Sequence, residues 1–364
     1  MRCAIISLGS VSSKMIVTAL SNYFDTVDHI NLKEIEISIS GTERTTLTYR
    51  GKSLPTYDCM YIKGSYRYGM LLRSITQYFE NEKTYIPIHA ESFIIVNDKL
   101  LTHLELDKSR IPMPKTYVVA TVESAKISLP KMKFPIIIKL PQGTHGKGVM
   151  MVDTIASAKG LLDTLSTLNQ PFLIQEFVEC GGEDVRCFVV GDQVVASMKR
   201  KAAGEDIRSN LHSGGVAEKF EASPAMKEIA VKAAKQLGCD ICGVDILETP
   251  QGGVVIEANV SPGLQGITKA SGIDVAGVMA KFLYEKTKEK LDGNKEAGKK
   301  ILEQEITYVN TPVNNSPTQD IIVKLDFRGN RILLPESAMK LSGFTPENDY
   351  IMRVGKGKLE LKRL

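Results

Sequence analysis

The chain has 364 residues, 43% of them hydrophobic and 24% charged, and 46 Lys and Arg against 42 Asp and Glu leave a net charge of +4. That length suits about two to four domains with cores of their own, no apolar run is long enough to span a bilayer, and so small a charge does not by itself call for nucleic acid. The start, Met1-Arg2-Cys3-Ala4-Ile5-Ile6, reads as a first strand without the cleavage site of a secretory signal, so a cytoplasmic enzyme is the expectation.

In chain order, residues 1–97 alternate short apolar runs (4–8, 59–62) with helical stretches (14–23, 70–79), the pattern of a first α/β domain. Its loop Gly9-Ser10-Val11-Ser12-Ser13 suits an anion at a helix start, but a plain strand-to-helix turn uses the same residues and is the better reading. Residues 98–180 make a second unit: strands at 134–140 and 149–152, a helix over 155–168 and a strand at 172–177. The third, 181–290, opens with a hairpin, 185–190 and 194–198, about Gly191-Asp192. A helix over 225–237 stopped by Gly238, strands at 241–247 and 254–258, and a helix over 275–290 follow. The lysine-rich stretch 286–300 reads as a frayed helix end entering a linker, 291–318, and residues 319–364 as a small β-rich domain.

Alternation along a strand puts Glu257 and Asn259 on one face, with Ile256 and Ala258 toward the core. Asp245 lies within the apolar run Gly243-Val244-Asp245-Ile246-Leu247, and the short connection allows an antiparallel pair that brings it opposite the other two. Three hard oxygen donors without histidine or thiolate suit Mg²⁺ rather than zinc or copper. The alternative is a set of solvated surface groups, but an unpaired carboxylate among apolar neighbours is costly.

Gln142-Gly143-Thr144-His145-Gly146-Lys147-Gly148 lies between two strands and is neither a Walker A loop nor a Rossmann fingerprint. It is either a lid whose N–H groups wrap phosphates or an ordinary hairpin turn. Lys139, ending the apolar run before it, is placed to reach phosphate oxygens. Arg208 with Asn210, followed by Gly214-Gly215, offers donors for an anion. Arg186 among strand apolars needs an anion partner, either a ligand or a structural carboxylate. Cys239-Asp240-Ile241-Cys242 has the spacing of a metal or redox pair, but no second pair follows and a strand continues, so buried reduced thiols are expected.

These motifs in this order resemble the RimK branch of the ATP-grasp superfamily, the α-L-glutamate ligases, over roughly residues 1–285. The strongest elements are Asn97-Asp98-Lys99, Ile138-Lys139 with the glycine loop, Gln175-Glu176-Phe177-Val178, Asp184-Val185-Arg186, Arg208-Ser209-Asn210, Gly243-Val244-Asp245 and Glu257-Ala258-Asn259. The resemblance implies an α/β (α+β) ATP-grasp fold, with a pre-ATP-grasp domain over 1–97, a small subdomain over 98–180 and a metal-binding subdomain over 181–290. It also implies roles. Lys99, Lys139, Gly143, Gly146 and Gly148 would meet the nucleotide phosphates, Glu176, Phe177 and Val178 would read adenine, and Asp184 would take the ribose. Asp245, Glu257 and Asn259 would hold Mg²⁺ (or Mn²⁺) as a pair of ions. Arg208, Ser209 and Asn210 would steady the transferred phosphoryl, and Arg186 and Arg200 would grip substrate carboxylates. The implied reaction phosphorylates an acceptor carboxylate, of a protein tail or a glutamyl cofactor, and lets an amino acid, usually glutamate, displace the phosphate. The same mechanism with another amino acid on a carrier protein stays open. The tail, Val323-Lys324-Leu325-Asp326 through Pro335, is similar to AbrB/SpoVT swapped-hairpin domains. That implies a homo-oligomer, a dimer or tetramer. A nucleotide-sensing DNA-binding regulator is possible from such a tail but is not favoured over a ligase. No membrane partner is expected.

Overall fold

A computed structural model describes residues 1–309 apart from 43–44, 81–82, 142–147, 168, 170, 202–215 and 251, together with 326–328, 331–333, 345, 350–355 and 358–363. The chain divides into two compact units, Met1–Ala297 and Gly298–Leu364.

The first unit opens with β1 (Arg2–Ser7), α1 (Val11–Leu20), β2 (Thr26–Asn31), the short sheet β3 (Ile35–Ser38), β4 (Thr46–Tyr49) and β5 (Lys52–Ser53), then β6 (Cys59–Ile62) and α2 (Gly69–Glu80). Strands β2, β1 and β6 pair in parallel, and β1 and β6 are apolar almost throughout because both their faces are covered. Ser10 starts α1, its side chain accepting from Ser13 N–H. In such a sheet the carboxyl ends of the strands carry the loops that meet ligands.

After α3 (Ser92–Ile95), Asp98 caps α4 (Lys99–Lys108) by accepting from the N–H groups of Leu100 and Leu101. The next layer comprises β7 (Thr116–Tyr117), α5 (Val122–Ser128), β8 (Ile136–Lys139), β9 (Val149–Val152), α6 (Ile155–Thr167) and β10 (Leu173–Glu176). Its antiparallel sheet runs β7-β10-β8-β9 and has its own core, in which Ile136, Ile138 and Ile174 meet Leu162 and Leu165.

The third layer comprises β11 (Glu183–Val190), β12 (Gln193–Lys201), β13 (Val216–Lys219), α7 (Pro224–Gln236), β14 (Ile241–Thr249), β15 (Gly252–Asn259), α8 (Gln265–Ser271) and the part of α9 (Val275–Val309) that precedes Gly298. Its sheet runs β13-β12-β11-β14-β15, all antiparallel. One apolar core joins it to the parallel sheet, from Ile5 and Phe93 to Phe188 and Ile246.

Several features depart from the sequence expectation. The β3-β4-β5 sheet and α4 had no counterpart in it. The helix expected to stop near residue 290 continues to Val309, through Glu, Lys and Ala, which favour helix. Ile256, expected in the core, lines a cavity instead, while Val255 is buried. A register shift pairs Asp245 with Glu257 but Ile246 with Val255, so Ile256 is the extra residue of a bulge and the alternation slips there.

In the second unit β16 (Asp326–Arg328) pairs with β17 (Arg331–Leu333) and β18 (Tyr350–Gly355) with β19 (Lys358–Arg363), both antiparallel. Most of the run that resembles AbrB/SpoVT domains lies outside the described residues.

Candidate active site

A cavity of about 790 Å³ in the first unit is lined by eleven of the residues singled out above: Lys99, Lys139, Glu176, Phe177, Val178, Asp184, Arg186, Arg200, Asp245, Glu257 and Asn259. Gly148 lies beside it at φ +78°, where an added Cβ would meet the Leu140 side chain at 3.0 Å. Gly143, Gly146, Arg208, Ser209 and Asn210, with His145 and His212, fall outside the described residues.

Strand register builds one wall. Arg186 lies opposite Asp245 and Asp184 opposite Arg200. The Arg186 guanidinium donates to both Asp245 oxygens, at 2.7 and 2.6 Å. Arg200 donates to both Asp184 oxygens, at 2.6 and 2.7 Å, and its Nη2 also lies 2.8 Å from Asp245 Oδ2. Such forked pairs are short and directional. Burial alone would raise the Asp245 carboxyl, but the two guanidiniums outweigh it and hold the group at about 2. Both arginines, expected to grip substrate, thus already hold carboxylates of the chain.

Asp245 and Glu257 are direct cross-strand partners, as are Gly243 and Asn259. Burial, then the Asp245 charge, raise the Glu257 carboxyl, while Lys99, Arg186 and Lys139 pull it back. Asn259 Oδ1 accepts from Ser261 N–H at 2.9 Å, which fixes the amide. No three His, Cys, Asp or Glu side chains converge on one point among the described residues. A cation here would therefore rest on two carboxylates and an amide oxygen. The set fits a hard ion: three of the four lone-pair directions of Asp245 are taken by guanidinium N–H groups, which leaves one, and no hydrogen bond ties Glu257 among the described residues.

The facing wall comes from β8, β10 and α4. Lys139 is 9% exposed, and its Nζ donates to Gln175 Oε1 at 2.6 Å. The Gln175 amide nitrogen donates to Thr116 Oγ1 at 2.8 Å and meets His103 Nε2 at 3.0 Å. His103 Nδ1 lies 2.6 Å from the Lys99 carbonyl oxygen, which can only accept. His103 therefore carries its proton on Nδ1 and accepts at Nε2. Burial lowers its pKa and helps to keep it neutral. Burial likewise draws the Lys139 ammonium down to about 8. This chain of contacts links Lys139 to the first residue of α4. His103 was not legible in the sequence, where it is one polar residue in a helix and its partner Gln175 is 72 positions away. Further along β10, Glu176 accepts from the Tyr117 hydroxyl at 3.3 Å.

Five of the six cysteines are buried and all are free, as expected of structural thiols. No described helix is long and apolar enough to cross a membrane.

The RimK-like ATP-grasp domain matches residues 96–283, from the turn before α4 to the first turns of α9. The chain belongs to the RimK-like ATP-grasp family. It is an ATP-grasp ligase. Curated relatives extend the likeness over a longer stretch of the chain. A probable α-L-glutamate ligase of Shewanella loihica is 38% identical over 245 residues, 67% of this chain and 81% of the relative. A second, from Pseudoalteromonas atlantica, is 35% identical over 292 residues, 79% of this chain and 97% of the relative. Among solved structures, the ATP-grasp ligase PsnB, complexed with minimal precursor, Mg and ADP, superposes with a TM-score of 0.62 at 17% identity over 79% of this chain and 98% of its own. The D-alanine–D-alanine ligase of Bacillus anthracis gives 0.54 at 18% identity over 82% and 99%. At these identities the structures establish the ATP-grasp fold.

Proposed function

We propose that this ligase uses ATP with Mg²⁺ to convert an acceptor carboxylate to an acyl phosphate and then joins it to the amine of L-glutamate. The observation that carries the reading is the facing of Asp245 and Glu257, paired across two strands, with the buried cation Lys139 in one cavity. In the first step an acceptor oxygen attacks the terminal phosphorus and ADP leaves. In the second the amine attacks the acyl carbon, phosphate leaves with the C–O bonding pair, and the amine loses its extra proton. Neither step needs a covalent enzyme intermediate, so the protein's contribution is positioning and charge.

Mg²⁺, held by Asp245, Glu257 and Asn259, would neutralise phosphate charge and act as a Lewis acid. Lys139 and Lys99 would meet phosphate oxygens, and the Glu176–Val178 segment the base. Asp184 would meet the ribose. Arg208, Ser209, Asn210 and the glycine loop would close on the transferred phosphoryl. Arg186 and Arg200 would act by holding Asp245 and Asp184 in place. Glutamate as the incoming amino acid is supported by the relatives' names, and a protein tail or glutamyl cofactor as acceptor by the family resemblance. The neighbour PsnB was solved with a precursor peptide, which supports a peptide-sized acceptor.

The test is mass spectrometry of candidate acceptors incubated with ATP, Mg²⁺ and each amino acid. The expected product gains one glutamyl residue or a ladder of them, and ADP forms only when both substrates are present. ADP formation that needs neither substrate sinks the reading. Glu257→Gln should lower turnover by about two to three orders of magnitude. Near-normal activity would overturn the metal assignment.

A further inference from the structure

We propose that Lys63 and the N-terminal end of α1 form an anion pocket that receives a second carboxylate of the acceptor, the substrate whose other carboxyl is activated. The inference rests on the ligase reading above and names where its acceptor binds.

Lys63 follows β6 at the carboxyl end of the parallel sheet and lines the cavity. It is 5% exposed. Its single hydrogen bond among the described residues, to the Pro262 carbonyl oxygen, is long at 3.4 Å. Among the described residues no carboxylate lies within 4.0 Å of its Nζ, so two of its three donors await a partner. The buried cations Arg200 and Lys139 and the part-buried Arg186 are engaged, the arginines by carboxylates and Lys139 by Gln175. A buried ammonium without a counter-ion is costly, and an incoming anion removes that cost. Burial draws the group down to about 8, so it is still charged at neutral pH.

The ten-residue helix α1 supplies the second half. Ser10, Ser12 and Ser13 line the same cavity. Ser12 Oγ accepts from Leu264 N–H at 2.9 Å, and Lys63 holds Pro262, so both grip one segment. That segment follows directly on β15, which carries Glu257 and Asn259. Ser10 and Ser13 share one hydroxyl–hydroxyl bond of 2.9 Å. Only one of the two can donate in it, so among the described residues one O–H remains for a ligand beside the positive end of the helix.

The location selects the acceptor. Lys63 and α1 precede residue 96, outside the matched ATP-grasp domain. The nucleotide contacts proposed above all fall within that domain, which leaves the preceding element for the acceptor.

The probe is N-acetyl-L-glutamate, which has two carboxylates and no free amine and so can react only as the acceptor. It is titrated into the full chain loaded with ADP and Mg²⁺. Saturable binding is expected, at least about tenfold weaker in Lys63→Met, nearly restored in Lys63→Arg, and with ADP affinity unchanged in all three. Lys63→Met should also keep or raise the melting temperature, since it removes a buried charge, whereas a purely structural clamp on Pro262 would lower it. In the unaltered protein the probe should slow acetylation of Lys63 by acetic anhydride, read by peptide mass spectrometry, and leave the exposed Lys52 unaffected. This arm stands even if a variant fails to fold. No saturable binding, binding undiminished in Lys63→Met, or no protection of Lys63 overturns the pocket. Failure of the unaltered chain to bind ADP would instead remove the ligase reading.

Discussion

On the wall built by β11, β12 and β14, the buried charges Asp184 and Asp245 meet guanidiniums at 2.6 to 2.8 Å. On the wall built by β8 and β10, the buried cation Lys139 meets an amide oxygen, and behind it stands a neutral imidazole. The first arrangement cancels charge locally and fixes geometry. The second leaves the Lys139 ammonium without a carboxylate partner among the described residues, with Lys63 adding a further cation from the parallel sheet. A site for a triphosphate and a carboxylate needs both: a rigid frame for the groups that hold a cation, and unspent positive charge for the anions. The contrast shows that the arginines and the lysines of one cavity are not interchangeable.

The largest effect that tests this contrast is on stability. Arg200→Leu removes the guanidinium from Asp184 and leaves Asp245 with Arg186 alone. Breaking a buried pair in this way should cost about 3–5 kcal/mol, read as a lower urea midpoint. A loss under about 1 kcal/mol would mean that the cluster is solvated in practice and that the wall is not a frame.

A smaller effect follows from acid. Asp245 is depressed from its usual 3.8 to about 2. A depressed carboxyl contributes stability that is complete above the unfolded value and is lost as pH falls through the folded one. The wall should therefore lose about 2 kcal/mol between roughly pH 4 and pH 2. Arg200→Leu should shrink this loss and move its midpoint upward, because Asp245 then titrates nearer its ordinary range. Identical acid limbs in the two proteins would show that the pair is not what titrates.

The frame was the more legible of the two walls. Glu257 and Asn259 two apart, and Asp245 in a run joined to theirs by a short turn, are local patterns, and the antiparallel register follows from them. The need of Arg186 for an anion partner was also readable, though not that the partner is Asp245, since this requires the order of β11 and β14 in the sheet. The slip at Ile256 was hidden because a bulge depends on how both strands pack, with Gly253 pressed against Ile246 and Met226. On the lysine wall Lys139 was readable as a strand-end cation, but what surrounds it was hidden. Its contacts join residues 103, 116, 139 and 175 across four elements, and none of those spacings repeats with a helical or strand period. Lys63 was invisible for the same reason: a lysine after a buried strand looks like a solvated strand end until the segment after β15 closes over it.

The finest test converts one wall's solution into the other's. Gln175→Glu places a carboxylate where Lys139 now meets an amide oxygen at 2.6 Å. The new charge would pair with the ammonium and raise it from about 8 toward its ordinary 10.5. A lysine depressed by burial withholds stability below its folded value and returns it as pH rises through 8 to 10.5, because the unfolded chain holds the proton longer. The native protein should therefore grow more stable over that window, and Gln175→Glu should lose the Lys139 share of the gain. The same substitution spends the positive charge that the phosphates would meet, so ADP affinity should fall about tenfold, or roughly 1.4 kcal/mol, by calorimetry. If the alkaline gain disappears while ADP binds as before, Lys139 is a buried cation without a phosphate to hold. If affinity falls and the alkaline limb is unchanged, the amide acts through His103 and Thr116 rather than through the lysine. Only the joint loss of both supports the reading that this wall keeps its charge unspent for the nucleotide.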